Sequence, residues 1–352
     1  MFMKNNITLL ISILIVGIFF LEIFAWKQIR KLIERNGYTK KLILFYDHYY
    51  KDLHHLGRLN EANAQNPTSL IFDKVGDGQS KVIIQGDSWA EQFRSSASKK
   101  FLSSQKDFSF VLAGTGSYSP SIMTSQLHLL RNDFNFNPEF LIAIIDQTDI
   151  GDELCRYRFL RKNIDGRIIV EPEPRNSFEP NASFHVINNF KMLFSDHYSI
   201  FKAAYYLRNK IIYRNNLKDY KVKCGRNQIL KPLEHGLEND EKRYFIKILN
   251  DYFNEAFASY DLKELIIVTH PHKGHLLNNY IIDIESLITQ AKNESIHQND
   301  IKILSFSKFL KNNDKININN IFIENDAYSH LKEEYFLMKF LPEVIGQLQN
   351  NN

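Results

Sequence analysis

Lys81-Val-Ile-Ile-Gln-Gly-Asp-Ser-Trp-Ala90 is the stretch around which the rest of the chain is organised. An apolar run over residues 82–84 is followed by Gly86, and a segment with helical character begins at Trp89. This pattern predicts a strand, a tight turn and a helix. A serine at such a turn lies at the carboxyl-terminal edge of a sheet, beside the positive end of a helix. We therefore predict that Ser88 is a nucleophile; an ordinary turn or helix cap is the alternative interpretation.

The composition is that of an ordinary folded protein. The chain has 352 residues, of which 44% are hydrophobic and 24% charged, and its formal net charge is +4. Lysine and arginine are spread along the chain rather than clustered, so no nucleic-acid partner is expected. Cys155 and Cys224 are the two cysteines. They predict neither a disulfide framework nor a metal site, and both a Cys155–Cys224 pair and two buried thiols stay open.

The first segment, residues 7–26, is almost entirely apolar and long enough to cross a bilayer. It lacks the small residues of a signal-peptide cleavage site, so residues 1–26 are predicted to be an uncleaved transmembrane anchor. Residues 27–75 are predicted to form a helical neck. By the positive-inside rule the large domain would be cytoplasmic, because basic residues follow the apolar run: Lys27, Arg30, Lys31 and Arg35. The chemistry predicted below favours the opposite side.

Strand patterns and helix patterns alternate through the rest of the chain. The predicted buried strands lie at residues 82–84, 108–112, 140–145, 264–268 and 301–304. This alternation predicts a three-layer α/β/α sandwich with a parallel five-stranded, flavodoxin-like sheet, over residues 76–350. Residues 151–240 are less regular and are predicted to be an insertion that caps the active edge.

Loops at the predicted active edge carry further polar groups. Ala113-Gly-Thr-Gly-Ser-Tyr-Ser-Pro120 contains Gly114 and Gly116, whose N–H groups are candidates to hold a developing negative charge. His270 follows the fourth strand and opens a His-x-His-x-x-His pattern. A fourth ligand is missing from that pattern, so we predict a substrate-facing loop and no metal site.

Asp326 and His330 stand just before a predicted terminal helix over residues 332–347. A serine hydroxyl is a poor nucleophile until a base takes its proton, and the base needs a partner that sets its tautomer. Asp326 and His330 are candidates for these two roles, with Glu324 and Asn325 as alternative partners. A helix cap with an incidental histidine is the other interpretation.

These motifs resemble those of the SGNH (GDSL-type) hydrolase family over about residues 80–347. Gly86-Asp-Ser88 matches its first motif, and the Asp326/His330 pair resembles its terminal Asp-x-x-His, with a gap one residue longer. The resemblance implies that the N–H groups of Ser88 and of Gly116, or Gly114, form the oxyanion hole. In the family's Gly-x-Asn-Asp block this chain has Asp146-Gln-Thr-Asp149, so Thr148 stands in the place of the donor asparagine.

The resemblance implies a serine esterase or acyltransferase in which His330 is the general base for Ser88 and Asp326 orients it. It implies no cofactor. By analogy the substrate is an acylated glycan, namely O-acetyl esters of a cell-surface polysaccharide, with the surface-polysaccharide synthesis machinery as a partner. Polar residues at the same edge are further predicted to contact the substrate: Asp87, Gln147, Asp149 and His270.

The expected location is the inner (cell) membrane, with a single pass through the lipid bilayer and the catalytic domain outside the cytoplasm. Two alternatives remain from the sequence. One is a non-catalytic, membrane-tethered glycan-binding or assembly protein that retains the fold. The other is a lipid esterase or thioesterase at the membrane face, which the basic segment after the anchor would suit.

Overall fold

The structure is a computed structural model, and it describes residues 11–18, 20, 45, 48–53, 56–57, 66–171, 236–270, 272–277, 283–311, 317–326 and 329–349. The chain divides into two compact units. The first comprises Met1–Lys51, Arg58–Leu70 and Pro172–Val222, and the second comprises Asp52–Gly57, Ile71–Glu171 and Lys223–Asn352. The predicted α/β domain over residues 76–350 thus belongs to the second unit except for Pro172–Val222, a part of the predicted insertion that groups with the first unit.

The first unit is described in short pieces. Residues 11–18 are helical with exposed side chains, and Pro67–Leu70 form a 3₁₀ turn. Within the described residues no helix has the length and apolar character that crossing a membrane requires. Residues 7–10, 19 and 21–26 of the predicted anchor lie outside the described part of the chain. Most of the predicted neck and residues 172–235 of the predicted insertion lie outside it as well.

A six-stranded sheet forms the centre of the second unit, in the order β1-β3-β2-β4-β7-β8. Five of these strands run parallel, as predicted. Their bounds are Ser80–Gly86 (β2), Phe108–Leu112 (β3), Phe140–Asp146 (β4), Glu264–His270 (β7) and Ile301–Ser305 (β8). The sixth strand, Asp73–Val75 (β1), pairs antiparallel with β3 at the sheet edge.

Strand β1 falls inside the segment predicted to be a helical neck, so that prediction is wrong for these three residues. The strand is too short to show an alternating pattern, and only its pairing with β3 defines it. A separate two-stranded hairpin, Arg161–Ile164 (β5) and Arg167–Val170 (β6), turns at Asp165 and Gly166. This hairpin lies within the segment predicted to be an insertion.

Helices connect and accompany the strands, as expected for an α/β protein. In chain order they are Ser88–Glu91 (α1), Ser96–Ser103 (α2), Pro120–Asn132 (α3), Thr148–Cys155 (α4), Asn239–Ser259 (α5), Lys273–Leu276 (α6), Ile284–Glu294 (α7), Phe306–Lys311 (α8), Ile318–Ile321 (α9), Glu333–Tyr335 (α10) and Leu341–Gln349 (α11). A π-helical turn over Phe336–Phe340 joins α10 to α11. The helical segment predicted to begin at Trp89 begins at Ser88 and is divided, because a 3₁₀ turn at Gln92–Arg94 separates α1 from α2.

The alternating residues of the central strands belong to two different layers. Those on one face pack with Trp89, Phe93 and the terminal helix in one continuous apolar cluster: Val82, Ile84, Phe110, Leu112, Ile142, Ile144, Ile266 and Val268. Residues between them, such as Ile83 and Leu141, are also buried. Helix α5 packs against both α3 and α7, and α3 also contacts β2 while α7 contacts β8. Burial on both faces explains the nearly continuous apolar runs in the sequence.

The strand order reverses at β2, which lies between β3 and β4. The next strands along the chain therefore lie on opposite sides of β2, and a crevice opens beyond its carboxyl end. Ser88 is the second residue after β2. The topology thus places the candidate nucleophile at the position where open α/β sheets bind ligands.

Candidate active site

The turn that carries Ser88 depends on a glycine and an aspartate. Gly86 has a φ of 146°, and a Cβ there would lie 2.5 Å from the carbonyl oxygen of Ile144 on the neighbouring strand. Asp87 caps α1, since its Oδ1 accepts a hydrogen bond of 2.8 Å from the Trp89 N–H. Ser88 consequently occupies the first helical position, where the helix supplies no partner for its backbone N–H.

The loop with Asp326 and His330 is closed by a short antiparallel contact. Phe322 and Leu331 form a β-bridge, and the Ile323 N–H donates to the His330 carbonyl at 2.9 Å. Ser329 adopts a φ of 58°, a left-handed conformation that turns the chain just before the histidine. The bridge and this turn lie directly beside His330 in the chain.

The three side chains form a continuous hydrogen-bonded relay. Ser88 Oγ lies 2.6 Å from His330 Nε2, and His330 Nδ1 lies 2.6 Å from Asp326 Oδ2. The same carboxylate oxygen accepts the His330 backbone N–H at 2.6 Å. A carboxylate only accepts, so Nδ1 carries the proton and Nε2 accepts from the serine hydroxyl. This is the tautomer that a general base requires.

Two neighbouring side chains hold the histidine loop against α1. The indole of Trp89 is nearly parallel to the His330 ring, with ring centroids 6.0 Å apart and planes 26° apart. Gln92 Nε2 donates to the Leu331 carbonyl at 2.9 Å. Both residues lie on the segment that begins with Ser88, so the nucleophile and its base are positioned by one local framework.

Gly116 lies beside the nucleophile. The loop after β3 continues along β2, because the Thr115 N–H donates to the Gly86 carbonyl at 3.1 Å. A Cβ on Gly116 would lie 3.8 Å from the Ser88 Cβ. The Gly116 N–H donates to Glu91 Oε2 at 3.2 Å, so this amide already holds a negatively charged oxygen. The contact supports Gly116 as the oxyanion donor of the loop.

Gly114 serves a packing role. A Cβ there would lie 2.2 Å from the carbonyl carbon of Ala90, so the loop can pass α1 only with glycine at this position. Its carbonyl accepts from Arg94 Nη1 at 3.1 Å. This close approach and the hydrogen bond from Arg94 fix the loop that carries Gly116. Of Gly114 and Gly116, the preferred oxyanion donor therefore remains Gly116.

The residues of Asp146-Gln-Thr-Asp149 form hydrogen bonds with one another. Thr148 Oγ1 and the Thr148 N–H both donate to Asp146 Oδ1 at 2.6 Å. The Asp146 N–H in turn donates to Asp149 Oδ2 at 3.0 Å. A substrate oxyanion would have to compete with the Asp146 carboxylate for the threonine hydroxyl. The predicted donor role of Thr148 therefore has no support in this arrangement.

Three buried carboxyl groups lie together beneath the turn. Oxygen atoms of Asp87, Asp146 and Asp149 are within 4.8 Å of one another. Burial raises the pKa of all three carboxyls, and the charge of Asp146 raises the pKa of Asp87 and Asp149 further. Shared protons relieve this repulsion. Carboxylate oxygens are also the donors that a hard cation prefers, so these three side chains are the ones here that could hold a metal ion.

The polar residues predicted to contact substrate are buried. The exposed fraction is 3% for Asp87 and 0% for Gln147, Asp149 and His270. Asp87 and Asp149 use their carboxylates to order the backbone of the turns. None of the four side chains therefore lines an exposed surface in this structure, and their contact with a substrate stays a prediction.

The His270 ring packs against Trp89 and near Phe306, Phe322 and Phe340 rather than at a surface. Neither ring nitrogen has a hydrogen-bond partner among the described residues. Burial lowers the pKa of His270, and the neighbouring His272 and His330 lower it further. His270 is therefore held as a neutral ring within the apolar layer.

Two polar contacts at the site escaped the sequence analysis. Glu91 lies three residues after Ser88, a spacing that puts both side chains on the same helical face, and this signal was available in the sequence. His272 Nε2 lies 3.3 Å from Ser329 Oγ, which links the loop after β7 to the histidine loop. That contact joins residues far apart in sequence and had no local signal.

Of the two cysteines, Cys155 is buried at the end of α4, and Cys224 lies outside the described residues. Comparisons with protein-family models and with curated proteins find no match to this chain. The function is therefore inferred from the geometry of the site. Ser88 lies at the switch point of an α/β sheet and is hydrogen-bonded to His330, which in turn is hydrogen-bonded to Asp326.

Proposed function

We propose that this protein is a serine esterase or acyltransferase of the SGNH type. One observation carries the proposal: Ser88 Oγ, the His330 ring and the Asp326 carboxylate are connected by two hydrogen bonds of 2.6 Å. Residues 242 positions apart in sequence meet in the geometry and tautomeric state that nucleophilic catalysis requires.

The reaction begins when Ser88 Oγ attacks the carbonyl carbon of an ester and its proton moves to His330 Nε2. The carbonyl π electrons move to the oxygen, giving a tetrahedral oxyanion. When this intermediate collapses, the bond to the alcohol oxygen breaks and the alcohol leaves with the proton from His330. Water or a sugar hydroxyl then attacks the acyl-serine, transfers its proton to His330 and releases the acyl product, and Ser88 recovers its proton.

The backbone N–H groups of Ser88 and Gly116 are the proposed oxyanion donors. Each such donor contributes about 3 kcal/mol to stabilising the transition state. Thr148, whose hydroxyl donates to Asp146, is left out of this set. With two donors rather than three, we expect turnover of simple esters to be slow compared with that of an esterase with a complete hole.

The proposed substrates are acyl esters, in particular O-acetyl esters of a cell-surface polysaccharide, and the proposed location is the cell membrane with the domain outside the cytoplasm. The substrate class is an analogy to membrane-anchored members of the family that the motifs resemble. A protease-accessibility experiment on intact cells tests the location: digestion of the domain without lysis supports it, and protection contradicts it.

The test of the chemistry is active-site labelling. Wild-type protein is expected to react with a fluorophosphonate probe and to release p-nitrophenol from p-nitrophenyl acetate, and Ser88→Ala is expected to do neither. Ser103→Ala is the matched control, since Ser103 is exposed at the end of α2 and its hydroxyl donates to the Lys100 carbonyl at 2.9 Å. A folded wild-type protein that is not labelled would contradict the proposal and favour the non-catalytic binding protein.

A further inference from the structure

Glu91 is a charged residue at the proposed catalytic site that the reaction does not use. It lies in the same short helix as Ser88, and its side chain is exposed. Its Oε2 accepts the Gly116 N–H at 3.2 Å and lies 3.3 Å from where a Cβ of Gly116 would be. That same Cβ position is 3.8 Å from the Ser88 Cβ. Because both distances share this one point, the carboxylate oxygen lies no more than 3.3 plus 3.8 Å from the Ser88 Cβ.

The basic groups on this side of the helix are engaged elsewhere. Arg94 pairs with Asp73 at 2.9 Å and donates to the Gly114 carbonyl. Lys99 also pairs with Asp73 at 2.9 Å. Among the described residues no cation forms an ion pair with Glu91, and its interaction there is with a backbone amide. Glu91 thus presents a negative charge at the mouth of the oxyanion hole.

We infer that Glu91 determines specificity by selecting the charge of the acyl group. The inference rests on the proposed function, and it names the preferred substrates as esters with a neutral or cationic acyl group. When a substrate carbonyl oxygen takes the Gly116 N–H, the carboxylate is displaced but stays beside the acyl chain. It repels an anionic acyl group and attracts a cationic one.

The size of the effect follows from Coulomb's law. Two unit charges about 6 Å apart in a partly exposed site, at an effective dielectric constant of about 20 to 40, change a rate by about tenfold to a hundredfold. Removal of the charge also removes a competitor for the Gly116 N–H. Glutamine can still accept the hydrogen bond from the Gly116 N–H, so Glu91→Gln removes only the charge. Glu91→Ala removes both the charge and the acceptor of that hydrogen bond.

The experiment measures kcat/KM for three p-nitrophenyl esters with a four-carbon acyl chain. They are the neutral butyrate, the anionic hydrogen succinate and the cationic 4-(trimethylammonio)butyrate. For the wild type we expect the cationic ester to exceed the anionic one by about tenfold or more. Glu91→Gln is expected to bring the two rates within about threefold, and Glu91→Lys to reverse their order.

Glu294→Gln is the matched control. Glu294 ends α7, the helix before β8, so it lies towards the opposite edge of the sheet, and it is exposed. It should leave the ratio of the three rates unchanged. An unchanged ratio in folded Glu91→Gln and Glu91→Lys would overturn the inference but leave the proposed function intact. If the wild type hydrolyses none of the esters and Ser88 is not labelled, the proposed function and the inference both fail.

Discussion

Replacing Asp326 with asparagine tests whether this carboxylate sets the tautomer of His330. One carboxylate oxygen, Asp326 Oδ2, accepts both from His330 Nδ1 and from the His330 backbone N–H, each at 2.6 Å. Asparagine has the same shape but can present an NH₂ group to the ring. Nδ1 then becomes the acceptor, and Nε2 carries the proton and can no longer take one from Ser88.

We expect Asp326→Asn to lower kcat/KM for p-nitrophenyl acetate by about 10³- to 10⁴-fold, which is about 4–5.5 kcal/mol of transition-state stabilisation. The fold should survive, because an NH₂ group turned towards the ring deprives only the part-buried His330 backbone N–H of its acceptor. The free energy of unfolding should fall by no more than about 1–2 kcal/mol. Thermal unfolding monitored by circular dichroism checks this alongside the kinetics.

Asp251→Asn is the control for the same chemical change. Asp251 lies on α5 and pairs with Arg161 and Lys247, away from the residues placed in the relay. Its activity should remain within about twofold of the wild type, as for a substitution outside the site. Retention of more than a tenth of the wild-type activity by Asp326→Asn would refute the role of Asp326 in setting the tautomer.

Further predictions concern the turn and the buried carboxyls. Gly86→Ala should lower the free energy of unfolding by at least about 2 kcal/mol, because the new Cβ would lie 2.5 Å from the Ile144 carbonyl oxygen. Gly346→Ala is the control and should be neutral or stabilising, because nothing lies within 4 Å of its Cβ position. Equal melting temperatures for the two variants would contradict this prediction. Burial and the charges of three neighbouring carboxyls, Asp146, Asp87 and Asp152, raise the pKa of Asp149 well above its usual 3.8, so the unfolded chain ionises first and the free energy of unfolding falls as pH rises above that value. Asp149→Asn removes this loss, and its melting temperature should exceed that of the wild type by a margin that grows from about pH 4 to pH 8; a constant margin would be evidence against the raised pKa.

The parallel strands and the Ser88 turn were predictable from the sequence because they depend on local patterns. A strand buried on both faces must be apolar throughout, and a strand-to-helix turn as tight as this one requires glycine at position 86. Strand β1 could not be predicted, since three residues carry no periodicity. The burial of the polar residues at the strand ends could not be predicted either, because it depends on which elements pack over them.

The amino-acid sequence by itself determined the α/β architecture, the location of Ser88 at the carboxyl end of a strand, and the histidine and aspartate that stand near its far end. Only the tertiary structure decided that Asp326, rather than Glu324 or Asn325, reaches the His330 ring. It also decided that the Thr148 hydroxyl is held by Asp146 and that Glu91 occupies the Gly116 amide. The physical reason is the distance along the chain over which each signal acts. Periodicity indicates which face of a helix or strand is buried, and it is a local property of the sequence. A hydrogen bond between distant residues depends instead on the conformation of the loops, here on the Phe322–Leu331 bridge and the left-handed turn at Ser329.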